Sequence, residues 1–296
     1  MLKSNPLLSL VVPLYNEEEN VSILCEKVER ALTNYKYELI LIDDCSIDNT
    51  KENIKSLKNP NVTLIELKKN YGQSLAMSAG FDFANGDYII TLDGDLQNDP
   101  TDIPKMVNKL IEEDVDVVTG YRKNRKDSIL KTFPSKIANF LIRKLTKLKI
   151  KDQGCALKVF TRETAKSLKL YGEMHRFINL AAYLDGAKIS EIKVLHHPRR
   201  YGVSKYGLSR TFKVVNDLLL ILFQRKFLQK PIYFLIIRIM GEDIWGRPVL
   251  ILAVLLIIVG IQFFSIGILY DLLMKTYFES QDKKPYRIRK VFKFDA

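Results

Sequence analysis

Up to about residue 120, short apolar runs rich in β-branched residues alternate with stretches of helical pattern: LSLVVP from Leu8, YELILID from Tyr37, VTLIEL from Val62, DYIITLD from Asp87 and VDVVTG from Val115. Each run is followed by polar residues and then a helix-like segment, the signature of βα units around a largely parallel sheet. The predicted fold class is therefore α/β with a mostly parallel central sheet. In open sheets of this kind ligands bind beyond the carboxyl ends of the strands. The loops that start at Pro13, Asp43, Lys69 and Asp93 are thus expected to converge on one site.

A chain of 296 residues, 47% hydrophobic and 27% charged, is long enough for one large domain with a modest appendage. Its net charge of +12 suits nucleic acid, anionic lipid or phosphorylated substrates without choosing among them. Cys25, Cys45 and Cys155 form no CxxC pair and have no His at zinc spacing, so neither a zinc site nor a disulfide framework is indicated. The apolar run near the N-terminus ends in acidic residues and lacks a small-residue cleavage site, so it reads as a first strand rather than a signal peptide.

Beyond Tyr121 the character changes. Lys and Arg crowd the stretch to Ile150, in which Asp127 is the one acid. Ile137, Phe140, Leu141, Leu145 and Leu148 fall at helical spacing there, with Lys136, Arg143, Lys144 and Lys147 largely on other faces. Such a helix suits a membrane surface or, equally, packs its stripe on the core with solvated lysines. From Pro248 to Tyr270 no residue is charged, and a bilayer is spanned by roughly 20 apolar residues, so a transmembrane helix is predicted. The preceding stretch from Leu218 is broken by Arg225, Lys226, Lys230, Pro231 and Arg238, and reads as amphipathic or re-entrant. A single span would place the basic KKPYRIRK tail opposite the main domain, against the tendency of basic segments to stay cytosolic.

The sharpest chemical signal is TLDGDLQNDP from Thr91. Alternate residues of an extended segment share a face, so Asp93 and Asp95 can aim at one hard cation, with Gln97 offering a further oxygen. Mg²⁺ or Mn²⁺ usually takes one or two carboxylates plus substrate phosphates, which fits a pair. The competing reading is an acidic strand-to-helix turn in which Asp99 caps the helix after Pro100. VVPLYNEEEN supplies an aromatic and carboxylates at the end of the first strand, and LIDDCSIDNT supplies Asp43 and Asp44 at the end of the second. An aromatic face can lie against a nucleobase, and a carboxylate can accept from base N–H or ribose hydroxyl groups.

The ordered series VVPLYNEEEN, IDDCSIDNT, NYGQSLAMSAG, DGDLQNDP, DVVTGYR, DQGCALKVF, HRF and RRYGVSKYG resembles the family 2 inverting glycosyltransferases of the dolichyl-phosphate mannose synthase and bacterial polyprenyl-phosphate glucosyltransferase type. The resemblance runs from about Leu8 to Tyr270. It implies a GT-A nucleotide-sugar-binding fold, here over 1–215, and two full C-terminal membrane helices; the chain's own pattern departs from the latter, with an amphipathic juxtamembrane or re-entrant segment over 216–247, one transmembrane helix over 248–270 and a basic tail over 271–296. On this resemblance Pro13, Tyr15, Glu17, Asp44, Gln73, Asp93 and Gly94 contact the nucleotide-sugar, and Asp95 with Gln97 holds the metal. Asp93, Asp95 and Arg122 carry the catalysis. Arg122, Asp152, Arg199, Ser204 and Lys205 grip the donor and acceptor phosphates, a task that cationic forks and a compact ammonium suit. His175 and Arg176 shape the acceptor pocket. Each has a bland alternative: Arg122 as a solvated loop residue, Lys205 on a basic face, Asp152 capping local backbone, and His196 as a structural histidine. Asn179 stands where the family is expected to have proline after HRFI.

The implied partners are a nucleotide-sugar, a polyprenyl phosphate (undecaprenyl or dolichyl phosphate), the membrane and a divalent ion, Mg²⁺ or Mn²⁺, with homo-oligomerisation left open. The implied place is the cytoplasmic face of the cell membrane, in cell-envelope glycan or glycoprotein modification. A processive polysaccharide synthase is disfavoured because no QxxRW occurs. A catalytically silent nucleotide-sugar scaffold would not need DGD, Arg122 and SKYG together. Nucleic-acid binding lacks a recognisable module, and neither GxxxxGK[ST] nor GxGxxG occurs.

Overall fold

The computed structural model describes residues 6–122, 150–199, 248–280 and 284–294. The chain divides into two compact units, one of residues Met1–Val215 with Tyr286–Ala296 and one of Asn216–Pro285. The first unit is a layered α/β domain. Its eight-stranded sheet has the order β7 (Ile189–Lys193), β5 (Val117–Tyr121), β6 (Lys158–Thr161), β4 (Tyr88–Thr91), β1 (Leu7–Leu14), β2 (Lys36–Asp43), β3 (Val62–Leu67), β8 (Ile288–Lys293). The five runs read as strands form β1 (Leu7–Leu14), β2 (Lys36–Asp43), β3 (Val62–Leu67), β4 (Tyr88–Thr91) and β5 (Val117–Tyr121).

β1 pairs in parallel with β2 and β4, and β2 with β3. Between them run α1 (Val21–Ala31), α2 (Thr50–Ser56) and α3 (Gln73–Phe83), while a short 3₁₀ turn (Pro100–Asp102) and α4 (Ile103–Glu112) connect β4 to β5. Burial on both faces explains why these strands read as unbroken apolar runs. Leu8, Leu10, Val12 and Leu14 of β1 join a core with α1 and α4 on one face. Val11 points the other way, into a second core with α3.

Three strands were not expected from the sequence. β6 (Lys158–Thr161) inserts antiparallel between β4 and β5, and β7 (Ile189–Lys193) extends the sheet in parallel beside β5. α5 (Arg162–Ser167) and α6 (Ile178–Leu184) precede β7. β8 (Ile288–Lys293) comes from the stretch expected as a basic tail and lies antiparallel on the outer edge of β3. The sheet is therefore mixed, although mostly parallel.

Among the described residues of the second unit the chain forms one long helix, α7 (Pro248–Ser280), which continues well past Tyr270. Counted over the described residues, no helix is long and apolar enough to cross a membrane. The described side chains of α7 begin at Leu255, although its backbone is continuous for 33 residues. The basic helix expected after Pro134 and the stretch from Leu218 lie outside the described residues.

Candidate active site

The four loops at the carboxyl ends of β1 to β4 meet, as the strand order requires. The Asp44 amide donates to the Leu14 carbonyl at 2.8 Å, joining the first loop to the second. Asn16 N donates to Ser46 Oγ, Ile47 N to Asn16 Oδ1 and Glu17 N to Thr50 Oγ1, all within 3.0 Å. The Glu17 carboxylate accepts from Asn20 Nδ2 at 2.6 Å. The third loop joins through Asp44, whose two oxygens accept the Tyr71 and Gly72 amides at 2.7 and 2.8 Å. The fourth joins through Gln73 Nε2, which donates to Asp93 Oδ1 at 2.8 Å. Each loop also holds one residue in the left-handed region: Asn16, Cys45, Gly72 and Leu96. For Leu96 this is costly, and such positions gather where surrounding structure imposes them, often at functional sites.

Tyr15, Glu17, Asp44, Asp93 and Gly94 thus lie in one connected set of loops, with Pro13 near the end of β1 and Gln73 at the start of α3. A Cβ on Gly94 would come within 2.3 Å of Leu14 Cδ2, so a side chain there would force Leu14 to shift. Burial pushes the Asp44 carboxyl up to about 6, against the two backbone N–H groups that favour its charge. The Asp93 carboxyl is also raised, by protein packed around it and by the Asp95 carboxylate, with Lys158, Arg122 and Arg199 opposing.

Cations face these acids. Arg199 Nη2 meets Asp95 Oδ2 at 2.7 Å, while Asp95 Oδ1 takes the Gln97 amide at 3.1 Å. Arg122 closes a two-pronged pair with Asp152, Nε to Oδ2 at 2.7 Å and Nη2 to Oδ1 at 2.9 Å. Both side chains are nearly buried, 10% and 7% exposed, so Arg122 is not a solvated loop residue. Asp152 Oδ1 also accepts the Gly154 amide, so it both holds an arginine and caps local backbone. Gln97 turns its amide nitrogen towards the His197 carbonyl at 3.5 Å. Ser204 and Lys205 lie outside the described residues.

The family model described as Glycosyl transferase family 2 matches residues 9–168. That span holds the four loops, the two acids of DGD and the Arg122–Asp152 pair. The chain belongs to glycosyl transferase family 2. Along its length this glycosyltransferase is 41% identical to dodecaprenyl-phosphate galacturonate synthase of Rhizobium johnstonii, over 96% of this chain and 93% of that one. It is 34% identical to undecaprenyl-phosphate 4-deoxy-4-formamido-L-arabinose transferase of Photorhabdus laumondii, over the same shares of the two chains. Its fold resembles that of glucosyl-3-phosphoglycerate synthase from Mycobacterium tuberculosis, crystallised with Mn²⁺, UDP and phosphoglyceric acid. That likeness has a TM-score of 0.61 at 16% identity, covering 75% of this chain and 79% of that one.

Several residues of the glycosyltransferase site carried no signal in the sequence. Lys158 sits on β6, 3% exposed, and donates to the Cys155 carbonyl. Burial lowers its pKa, while the nearby Cys155, Asp152 and Asp93 favour its charge. It is the cation behind the DGD strand, and only the insertion of β6 beside β4 reveals it. His197 Nε2 meets Asp99 Oδ2 at 2.8 Å. Burial alone would raise the Asp99 carboxyl, yet the hydrogen bonds from His197 and Thr101 hold it below the usual range. Asp99 also caps the 3₁₀ turn by accepting the Thr101 amide, so the capping expected of it is real and coexists with the Asp93–Asp95 pair. His196 bridges to Asn98 through the main chain.

His175 Nδ1 lies 2.9 Å from Ser74 Oγ in the first turn of α3. Asn179 is the second residue of α6, where an amide has no intrahelical partner and proline would also be accommodated. Its side chain is fully buried and donates to Thr119 Oγ1 of β5 at 3.2 Å.

Proposed function

We propose that this glycosyltransferase moves a hexose-type sugar from a UDP- or GDP-sugar to a polyprenyl phosphate, with inversion at the anomeric carbon. The observation that carries the acceptor is that both relatives, similar along almost the whole chain, are named for polyprenyl phosphates, dodecaprenyl and undecaprenyl.

A phosphate oxygen of the lipid attacks the anomeric carbon. The bond from that carbon to the donor's diphosphate breaks on the opposite face, and the nucleoside diphosphate leaves with the electron pair. A phosphate monoester is already anionic near neutral pH, so no strong general base is needed. The chain's task is to hold two anions together and stabilise charge on the leaving group. Asp44, with Tyr15 and Glu17 nearby, receives the nucleoside; Arg122 and Arg199 face the phosphates.

Asp95 and Gln97 are the residues that would hold a divalent ion. The donor set fits, because Asp95 already presents an oxygen to a cation, the Arg199 guanidinium. Among the described residues no cluster of three or more His, Cys, Asp or Glu could hold a metal, so the diphosphate and water would complete the shell. When bound, the ion neutralises charge developing on the leaving diphosphate. The fold's likeness to a synthase crystallised with Mn²⁺ and UDP supports this reading.

Membrane attachment follows from the acceptor. In the sequence, residues 248–270, the first part of α7, carry no charge. We read its charge-free part as a membrane span.

The test is a radiolabel transfer assay in detergent, offering UDP- and GDP-sugars with polyprenyl phosphate and Mg²⁺ or Mn²⁺, beside an Asp95→Asn variant. Label entering the organic phase only with the wild type is the expected result and names the donor. Donor binding without transfer to any polyprenyl phosphate would overturn the reading.

A further inference from the structure

We propose that the C-terminal strand is a working part of the donor site, and that Tyr71 is the positioning residue through which it acts. The inference rests on the reading of Asp44 as a nucleotide contact and adds to it an element that lies at the far end of the chain.

β8 does more than cover an edge. Its residues pair with β3 from Thr63↔Lys293 to Leu67↔Ile288, with an irregularity at Glu66/Leu67. Just before it, Arg287 uses both of its main-chain groups on the third loop: its carbonyl accepts the Lys68 amide at 2.9 Å, and its amide donates to the Tyr71 hydroxyl at 3.1 Å. Two further contacts anchor the strap. Tyr286, 6% exposed, donates from its hydroxyl to Asp82 Oδ2 at the end of α3. The Phe292 ring takes the ammonium groups of Lys55 and Lys290 over it, 4.3 and 4.6 Å from its centroid.

The loop so held is the one that presents its amides to the nucleotide carboxylate. Tyr71 N and Gly72 N take the two oxygens of Asp44, and the next residue, Gln73, takes Asp93. Residues 68–72 have no regular secondary structure of their own, and Gly72 is in the left-handed region. Their geometry therefore depends on what they are tied to. Arg287 ties Lys68 on one side and Tyr71 on the other, so the amides reach Asp44 already placed. A loop released from Arg287 would have to be ordered by the nucleotide itself, which weakens binding without changing the reacting groups.

The experiment uses the full chain in detergent and titrates UDP, and separately GDP, in the presence of Mn²⁺. Tyr71→Phe removes the acceptor and keeps the ring; Arg287→Pro removes the donor; Asp44→Asn reports on the carboxylate. We expect each of the first two to raise the nucleotide Kd by about 2- to 10-fold, the range of one net hydrogen bond. The double variant should be no worse than the weaker-binding single one, because both remove the same bond. Donor KM should rise in step while kcat holds, and Lys293→Ala, at the far end of β8, should bind as the wild type does.

Tyr71→Phe binding UDP and GDP with wild-type affinity while Asp44→Asn does not would overturn the inference and leave the donor site standing. So would a fall in kcat with unchanged KM. If the wild type binds neither nucleotide, or Asp44→Asn binds as well as wild type, the donor-site reading fails first and this one with it. Should Arg287→Pro not fold, Tyr71→Phe decides alone.

Discussion

Asp44 is 4% exposed and its carboxyl titrates near 6 rather than near 4, because burial outweighs the two amides that favour its charge. The sign of the consequence follows. Above pH 6 the carboxylate is charged and can accept from a nucleoside; as pH falls through 6 it takes a proton and that capacity drops. UDP affinity measured from pH 8 to 5 should therefore fall with a limb centred near 6. Asp44→Asn should lose that limb and keep only the titration of the diphosphate itself. At the Arg122–Asp152 pair the effect is on stability. Removing one partner of a buried ion pair leaves the other uncompensated, at about 3 to 5 kcal/mol. Asp152→Ala should lower stability by about that much in urea unfolding, whereas Asp152→Asn, which still offers an acceptor, should lose less.

α3 shows how an element carries a site. Its first residue is Gln73, which holds Asp93, and it lies on the sheet at Gly80. A Cβ there would come within 2.3 Å of Val11 Cγ1 and 2.8 Å of Ile42 Cδ1, both from buried strands. Gly80→Ala should lift the helix and cost about 1 to 3 kcal/mol in chemical unfolding, with a rise in donor KM because Gln73 moves with it. Elements such as β1, β2 and β3 were legible because strands buried on both faces are written as unbroken apolar runs. β6 was not: four residues, KVFT, give too short a pattern, and only its pairing with β4 and β5 makes it a strand. The consequence reaches the site, since Lys158 is invisible as a site residue until β6 is placed beside the DGD strand.

For the whole molecule the informative feature is that the last residues return to the first unit. On the proposed membrane attachment, the pairing of β8 with β3 requires the tail and the catalytic domain to share one side of the membrane. With Cys45 replaced by serine, a cysteine introduced at Ile47, 86% exposed, or at Lys293 can be offered a membrane-impermeant maleimide in oriented vesicles. Both positions should be shielded in right-side-out vesicles and both labelled in inside-out ones. Labelling of Lys293→Cys alone in right-side-out vesicles would mean an odd number of crossings, which is incompatible with β8 pairing to β3.

By itself the sequence determined the βα alternation, the direction in which the strands point their loops, and the acids that those loops carry. Those follow from local periodicity and from residue chemistry, which neighbours in sequence are enough to express. The family resemblance drawn from the same motifs agrees with the match over residues 9–168. Only the tertiary structure decided that Arg122 spends its fork on Asp152, that Arg199 sits on Asp95, that Lys158 stands behind Asp93, and that Arg287 holds the loop facing Asp44. These partners are separated by 30, 104, 65 and more than 200 residues. Their meeting depends on strand order, which no local pattern encodes.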